Sequence, residues 1–533
     1  MRRGLTSYGD AGFSLFLRKA FIKGAGYTDD ALDRPVIGIA NTGSAYNPCH
    51  GNAPQLIEAV KRGVMLAGGL PMDFPTISIH ESFRAPTSMY LRNLMSMDTE
   101  EMIRAQPMDA VVLIGGCDKT VPAQLMGAAS AGLPAIQLVT GSMLTGSHRG
   151  ERVGACTDCR RYWARFRAGE IDEAEIDEVN NQLVASVGTC SVMGTASTMA
   201  CVAEALGMTV PGGASPPAVT ADRIRVAERT GAQAVQMAAD RLTIDRILTP
   251  AAFENAMRVL LAIGGSTNGI VHLAAIAGRL GLDRPGRALD RMGRETPVLL
   301  DLKPSGQHYM EDFHAAGGMA TLLRELRPLL QLDALTVTGR TLGEELERPA
   351  PFCAGRGAPL ADPIYPTGRH GGAARQPGAG RRHHQAVGRQ PGPDGARRPR
   401  GGVREPGPGR AHRQRRPGRD RRRHAGAQEH RPQGRARHAR GGLLPIPRKL
   451  ARQGVKDMVR ISDGRMSGTA FGTIVLHVTP ESPRGRAAGL VRTGDRIRLS
   501  VQGFVAALAQ HHAVALQADV FTNLPATAFN HHR

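Results

Sequence analysis

Four short apolar runs, each closing on small turn-forming residues, constrain this chain more than any other feature. They are PVIGIANT (35–42), PTISIHES (75–82), DAVVLIGGCDKT (109–120) and LPAIQLVTG (133–141). Runs of this length rich in Val and Ile, bounded by Gly, Asn, Ser or Thr, predict buried strands. Between them APQLIEAVKRGVMLAGG (53–69) and VPAQLMGAASAG (121–132) carry helical spacing. Buried strands alternating with helices predict an α/β domain with a mainly parallel sheet, here spanning 1–345. Longer helical segments follow at 171–187, 191–208 and 218–280, and no internal repeat is visible. Further on, TIVLHVTP (473–480) and DRIRLSV (495–501) predict a smaller β-rich, barrel-like domain over 346–500.

Charge interrupts that second domain. The 533-residue chain carries a net +21, but 369–440 alone holds 21 Arg against four acids and so accounts for +17. Its only large aliphatics are Val387 and Val403. Ordering 72 residues costs on the order of 70–140 kcal/mol of backbone entropy, which two valines cannot offset, so this window is expected to be disordered. An arginine-rich segment suggests nucleic acid, yet one built for single strands would interleave aromatics for base stacking. This one has none. Elsewhere the chain is close to neutral. No apolar stretch of about 18 residues predicts a membrane span, and the N-terminus lacks a signal-like apolar region, so the expected compartment is the cytoplasm.

Seven cysteines, an odd number, argue for metal or thiol chemistry over a disulfide framework. In open α/β sheets ligands collect at the carboxyl ends of strands, and three cysteines sit in such turns: Cys49 in NPCHGN, Cys117 in GGCDKT and Cys190 in SVGTCSVMG. Cys190 also precedes a helical segment whose amides would favour a thiolate. The residues alone leave two readings open, one metal centre or three unrelated half-buried thiols. CTDC (156–159) lacks the second pair a zinc site wants and the strand-to-helix context of a redox pair; it is read as structural or peripheral. Glu81, Asp118 and Lys119 lie at adjacent strand ends, where carboxylates suit Mg²⁺ and the lysine is either a counter-ion or, carbamylated, a further oxygen ligand. GRMSGTAFGT (464–473) places Ser467 and Thr469 among glycines without a triad partner. GGSTN (264–268) is similar but common as a turn. No phosphate-loop or dinucleotide fingerprint is present.

Together the stretches NPCHGN, PTISIHESF, GGCDKTVPAQLMGAASAGLPAI, GSHRGERVGACTDCRRYW, SVGTCSVMGTASTMACVAEALGM, GGSTNGIVHLAAIAGR, PSGQHYMEDFHAAGG and ISDGRMSGTAFGTIVLHVTPES closely resemble the dihydroxy-acid and phosphogluconate dehydratase family, aldonic-acid (pentonate) dehydratases included. They run in family order through 1–365 and again from about 443 to 500. The resemblance implies Cys49, Cys117 and Cys190 as ligands of an iron–sulfur cluster, [2Fe–2S] rather than [4Fe–4S]. It implies Glu81, Asp118 and a carbamylated Lys119 around Mg²⁺, and Ser467 as base with Thr469 beside it. The implied reaction is dehydration of a 2,3-dihydroxy acid to a 2-keto acid by a hydro-lyase acting as a dimer or tetramer. CDKT, in place of the CDKN associated with branched-chain biosynthesis, points towards a sugar acid.

Two departures qualify the resemblance. Arg440 stands where the family carries another Mg²⁺-binding glutamate before LPIP (444–447), and 369–440 has no family counterpart although its flanks do. A GC-rich gene translated out of frame yields such Arg/Gly/Pro/Ala text, which suggests two compensating frameshifts near 367 and 441. The tail after Ser500 also departs. Two further readings follow: an inactive homologue, or a nucleic-acid-associated protein using the Arg-rich window.

Overall fold

A computed structural model describes residues 1–347 apart from 2, 6–8, 85–86 and 283–288, then 362–364, 397–404, 424–428, 445–462 apart from 456, 474–475, 496–500, 505–509 and 515–516. Strands outside 1–347, except Arg460–Ile461, are described by backbone alone.

The first sheet is parallel throughout, in the order β2-β1-β3-β4, with β1 Val36–Asn41, β2 Leu70–Pro75, β3 Ala110–Gly115 and β4 Ala135–Val139. Strands β3 and β4 are buried at every residue, as continuous apolar runs covered on both faces must be. The second strand lies earlier than the alternation of PTISIHES suggests. LPMDFP forms β2, and Ile77 already leaves the ladder to donate its backbone N–H to Asp98 Oδ2 at 2.8 Å. Two prolines mark β2 as an edge strand, where a missing donor is tolerated. PTISIHES is thus mainly the loop that follows it.

Helices cover this sheet. Ala221–Asp240 and Thr120–Ala131 each contact β3 and β4, and Ala53–Leu66 packs along Ala221–Asp240. That last crossing is close because Gly63 and Gly231 meet the opposing backbone; a Cβ at either would overlap a carbonyl oxygen, of Glu228 or Val60. The long helical run at 218–280 resolves into three main helices, Ala221–Asp240, Pro250–Ala262 and Asn268–Arg279. Thr220 and Thr249 cap the first two by accepting from the N–H of Arg223 and Ala252. Among the described residues, no helix is long and apolar enough to cross a membrane.

The second sheet is β-rich as expected, and among the described residues its strands show no closure into a barrel. Among the described residues seven strands form one ladder, β10-β9-β8-β7-β11-β12-β13. They are β7 Arg397–Arg404, β8 His424–Gln428, β9 Arg460–Ile461, β10 Ile474–Val475, β11 Arg496–Ser500, β12 Val505–Ala509 and β13 Ala515–Leu516. Pairing is parallel from β7 to β10 and antiparallel from β7 through β11 to β13. β7 and β8 fall inside the window expected to be disordered, so that expectation does not hold over 397–404 and 424–428. Ladder pairing uses main-chain groups, which Arg and Gly possess as fully as Val. The rest of 369–440 lies outside the described residues.

Candidate metal centre at the strand ends

Cys117 follows β3 after Gly116, and its turn is fixed from below. Thr140, just past β4, leaves no room for a Cβ at Gly116. The backbone N–H groups of Gly116 and Cys117 both donate to His50 Nε2, at 3.0 and 3.1 Å. His50 Nδ1 lies 3.0 Å from the Thr42 carbonyl, so Nδ1 carries the proton and Nε2 accepts. Burial lowers the pKa of this histidine to about 4, which keeps the acceptor neutral. It is a structural clamp that nothing in the sequence distinguished from an ordinary loop histidine.

The neighbouring loops are stitched to the same point. Cys49 lies in the short 3₁₀ turn Pro48–His50, and its carbonyl accepts from Thr140 Oγ1 at 2.7 Å. The Pro48 carbonyl accepts from the Gly188 N–H, and Thr189 N–H donates to Gly141 O. Loops after β1, β3 and β4 thereby converge with the loop that carries Cys190.

Three ligand-type atoms, from Cys49, His80 and Cys117, lie within 4.8 Å of one another and could hold a metal ion. Cys49 and Cys117 are hydrogen-bonded to each other, and that bond, then burial, pushes the Cys49 thiol well above the usual thiol range. Cys190 is held the same way by a different thiol: Cys156 Sγ is 2.7 Å from Cys190 Sγ. That bond, and burial after it, raise Cys190 as well. The helix after Cys190 opens only at Thr195, five residues on, so the expected thiolate-favouring amides do not act there. Thiols that suppress one another's ionisation suit a cation, whose binding drives the protons off.

Oxygen donors lie beside the sulfurs. Lys119 is 1 % exposed, with Nζ donating to Glu81 Oε2 at 2.6 Å and to Asp118 Oδ2 at 3.3 Å. Glu81 accepts further bonds from Thr87 and Ser88. Of the residues singled out in the sequence, Cys49, Cys117, Glu81, Asp118 and Lys119 come together, and electrostatic coupling ties Cys190 to Cys117 and Asp118. Ser467, Thr469, Cys353 and Arg440 lie outside the described residues. GGSTN is a brace: Ser266 and Asn268 are buried and bonded to Thr195 at the start of the helix after Cys190.

Of the two readings of CTDC, structural or peripheral, the second does not hold: the turn delivers Cys156 to Cys190. A second CxxC was the wrong signal to seek, because the partner thiol lies 34 residues away on another loop. His80, beside Glu81 in the loop after β2, is a further ligand-type residue that the sequence reading did not single out.

Thiols, an imidazole and carboxylates gathered in the loops of a parallel α/β sheet form an arrangement that could hold a metal ion. The chain belongs to the dihydroxy-acid/6-phosphogluconate dehydratase family, whose N-terminal domain matches residues 34–345 and whose C-terminal domain matches 431–516. It is a dehydratase of the hydro-lyase type. The second match enters the last ten residues of the Arg-rich window and continues sixteen past Ser500, leaving 369–430 as the part of the window outside both. The chain is 41% identical over 511 residues to an L-arabinonate dehydratase of Rhizobium leguminosarum bv. trifolii, covering 93% of this chain and 86% of the relative. It is 42% identical over 516 residues to an L-arabonate dehydratase of Azospirillum brasilense (91% and 84% covered). A dihydroxy-acid dehydratase of Caldanaerobacter subterraneus subsp. tengcongensis is 34% identical over 522 residues (91% and 88%).

Proposed function

We propose that this chain dehydrates a 2,3-dihydroxy carboxylic acid of the aldonate class to a 2-keto acid. The observation that carries the reading is a soft-donor set, Cys49 and Cys117 with Cys190 behind them, directly beside a hard-donor set. Cys117 and Asp118 are neighbours in one turn, so the two sets can act on one small substrate. The donor chemistry fits an iron–sulfur centre, [2Fe–2S] in the resemblance, on Cys49, Cys117 and Cys190, and Mg²⁺ on Glu81, Asp118 and Lys119. As an amine, Lys119 already bridges both carboxylates as a cation; carbamylated, it becomes a third oxygen donor and leaves the place of the positive charge to the ion. When bound, these groups supply Lewis acidity for the departing 3-hydroxyl and for the carboxylate and 2-hydroxyl.

The chain's own residues do the rest. His50 holds the Cys117–Lys119 turn rigid, and Ser88 and Thr87 orient Glu81 by donating to it. Ser467 takes the C2 proton, with Thr469 next to it, and the enol that results tautomerises to the ketone. A sugar acid is favoured by CDKT and by the two relatives named for arabinonate and arabonate.

Anaerobic purification followed by iron and sulfide analysis, visible absorbance and 2-keto acid release from a panel of aldonates tests this. Iron–sulfur absorbance that disappears in Cys117→Ser supports it; equal iron content in the wild type and Cys117→Ser overturns it.

A further inference from the structure

The CTDC turn is held in an expensive conformation that delivers one thiol. Cys156 has φ +76°, a left-handed backbone that a non-glycine residue rarely adopts. Its strain is over-determined by the buried Asp158 two residues on. Asp158 accepts from the Gly154 N–H at 2.9 Å, from Tyr309 OH at 2.8 Å, from Arg161 Nε at 3.1 Å and from Lys303 Nζ at 3.2 Å. Cys159 Sγ accepts from the Cys156 N–H at 3.3 Å, closing the turn. The loop on the other side is tied to the same frame, with Met193 N–H donating to Lys303 O and Met310 N–H to Ser191 O. Both sulfurs are thus placed by one network, 2.7 Å apart, longer than the about 2 Å of a disulfide but well inside its closing range.

We propose that Cys156 and Cys190 form a reversible disulfide in the metal-free protein, with a hydroperoxide as the oxidant. A sulfur lone pair of Cys156, half-buried as Cys190 is, attacks one peroxide oxygen. The O–O bond breaks, leaving Cys156 sulfenic acid, and the displaced hydroxide leaves as water with the thiol proton. Cys190 sulfur then attacks Cys156 sulfur, the S–O bond breaks, and a second water carries off the Cys190 proton. Two thiols are oxidised by two electrons, one hydrogen peroxide is reduced, and two waters form. The disulfide rests on the geometry of the two thiols alone. Its consequence, that it withholds Cys190 from a cluster, rests on the function proposed above.

The test uses the full chain, stripped of metal by chelation under reducing conditions, treated with hydrogen peroxide, alkylated and digested without reductant. The expected product is a peptide linking Cys156 to Cys190, cleaved by dithiothreitol, retained in Cys159→Ser and absent from protein loaded with iron and sulfide beforehand. A dominant Cys156–Cys159 or Cys49–Cys117 linkage, or no linkage, overturns the proposal; the map is read on the wild type, so it does not depend on a variant folding. Loss of iron and sulfide uptake by the linked form, recovered with dithiothreitol, supports the consequence. A linkage that forms while uptake is unaffected would instead remove Cys190 from the cluster ligands and leave the disulfide standing.

Discussion

Strands β3 and β7 each have a neighbour on both sides, yet β3 reads AVVLIG and β7 reads RRPRGGVR. In β3 every side chain is buried, and hydrophobic transfer is worth about 1.5–3 kcal/mol for each large aliphatic. β7 has one valine, and Pro399, opposite Arg496, has no N–H to offer the ladder. Main-chain pairing defines where a strand can run; apolar side chains decide whether it stays there. The first sheet has both and positions the cluster of thiols and carboxylates. The second has the pairing, and over 397–404 and 424–428 little else.

If an altered reading frame is the cause of that poverty, restoring it is the largest lever. A version with the frame of codons 367–441 restored should regain a glutamate before LPIP, and turnover of its aldonate should rise by more than about 100-fold, since even losing an outer-shell metal partner costs about 10–100-fold. Side-by-side kinetics checks this; equal rates, or a nucleotide sequence with no patterned shifted frame, break the comparison. A smaller effect sharpens it from the other side. Ile114→Ala, at a fully buried β3 position, should cost about 2–5 kcal/mol in denaturant unfolding; an unchanged midpoint breaks the comparison.

The third effect reads the first region's buried charge. Glu204 accepts from the Gly212 and Ala214 N–H groups, and burial raises its pKa to about 7. Between the ordinary carboxylate range and about pH 7 the folded chain keeps a proton the unfolded chain has released. Its contribution to stability is therefore present at low pH and lost as pH rises through that window. Glu204→Gln should remove up to about 3 kcal/mol of that decline, read as a flatter melting temperature between pH 5 and 8; an unchanged slope shows that Glu204 does not set it.

Legibility followed burial. β1, β3 and β4 were plain because continuous Val and Ile runs have one sensible fate. β2 was misplaced by several residues because an edge strand with two prolines carries little pattern, while the loop after it alternates. Cys49, Cys117 and the Glu81–Asp118–Lys119 group could be nominated because strand ends in such a sheet face one side. Their clamp, His50, could not, because its role is made by two backbone N–H groups from 66 and 67 residues away. Cys156 was visible but its partner was not, since that partner is fixed by a tertiary network and not by spacing.

The hydrogen bonds described around the thiol and carboxylate cluster, from those of His50 to the Tyr309–Asp158 bond, join residues encoded before residue 313. During synthesis these thiols and carboxylates can therefore be brought together while the Arg-rich window is still unmade. Colour and catalysis become separate readouts: a chain that takes up metal reports only that its first three hundred residues have folded, whatever becomes of the remainder.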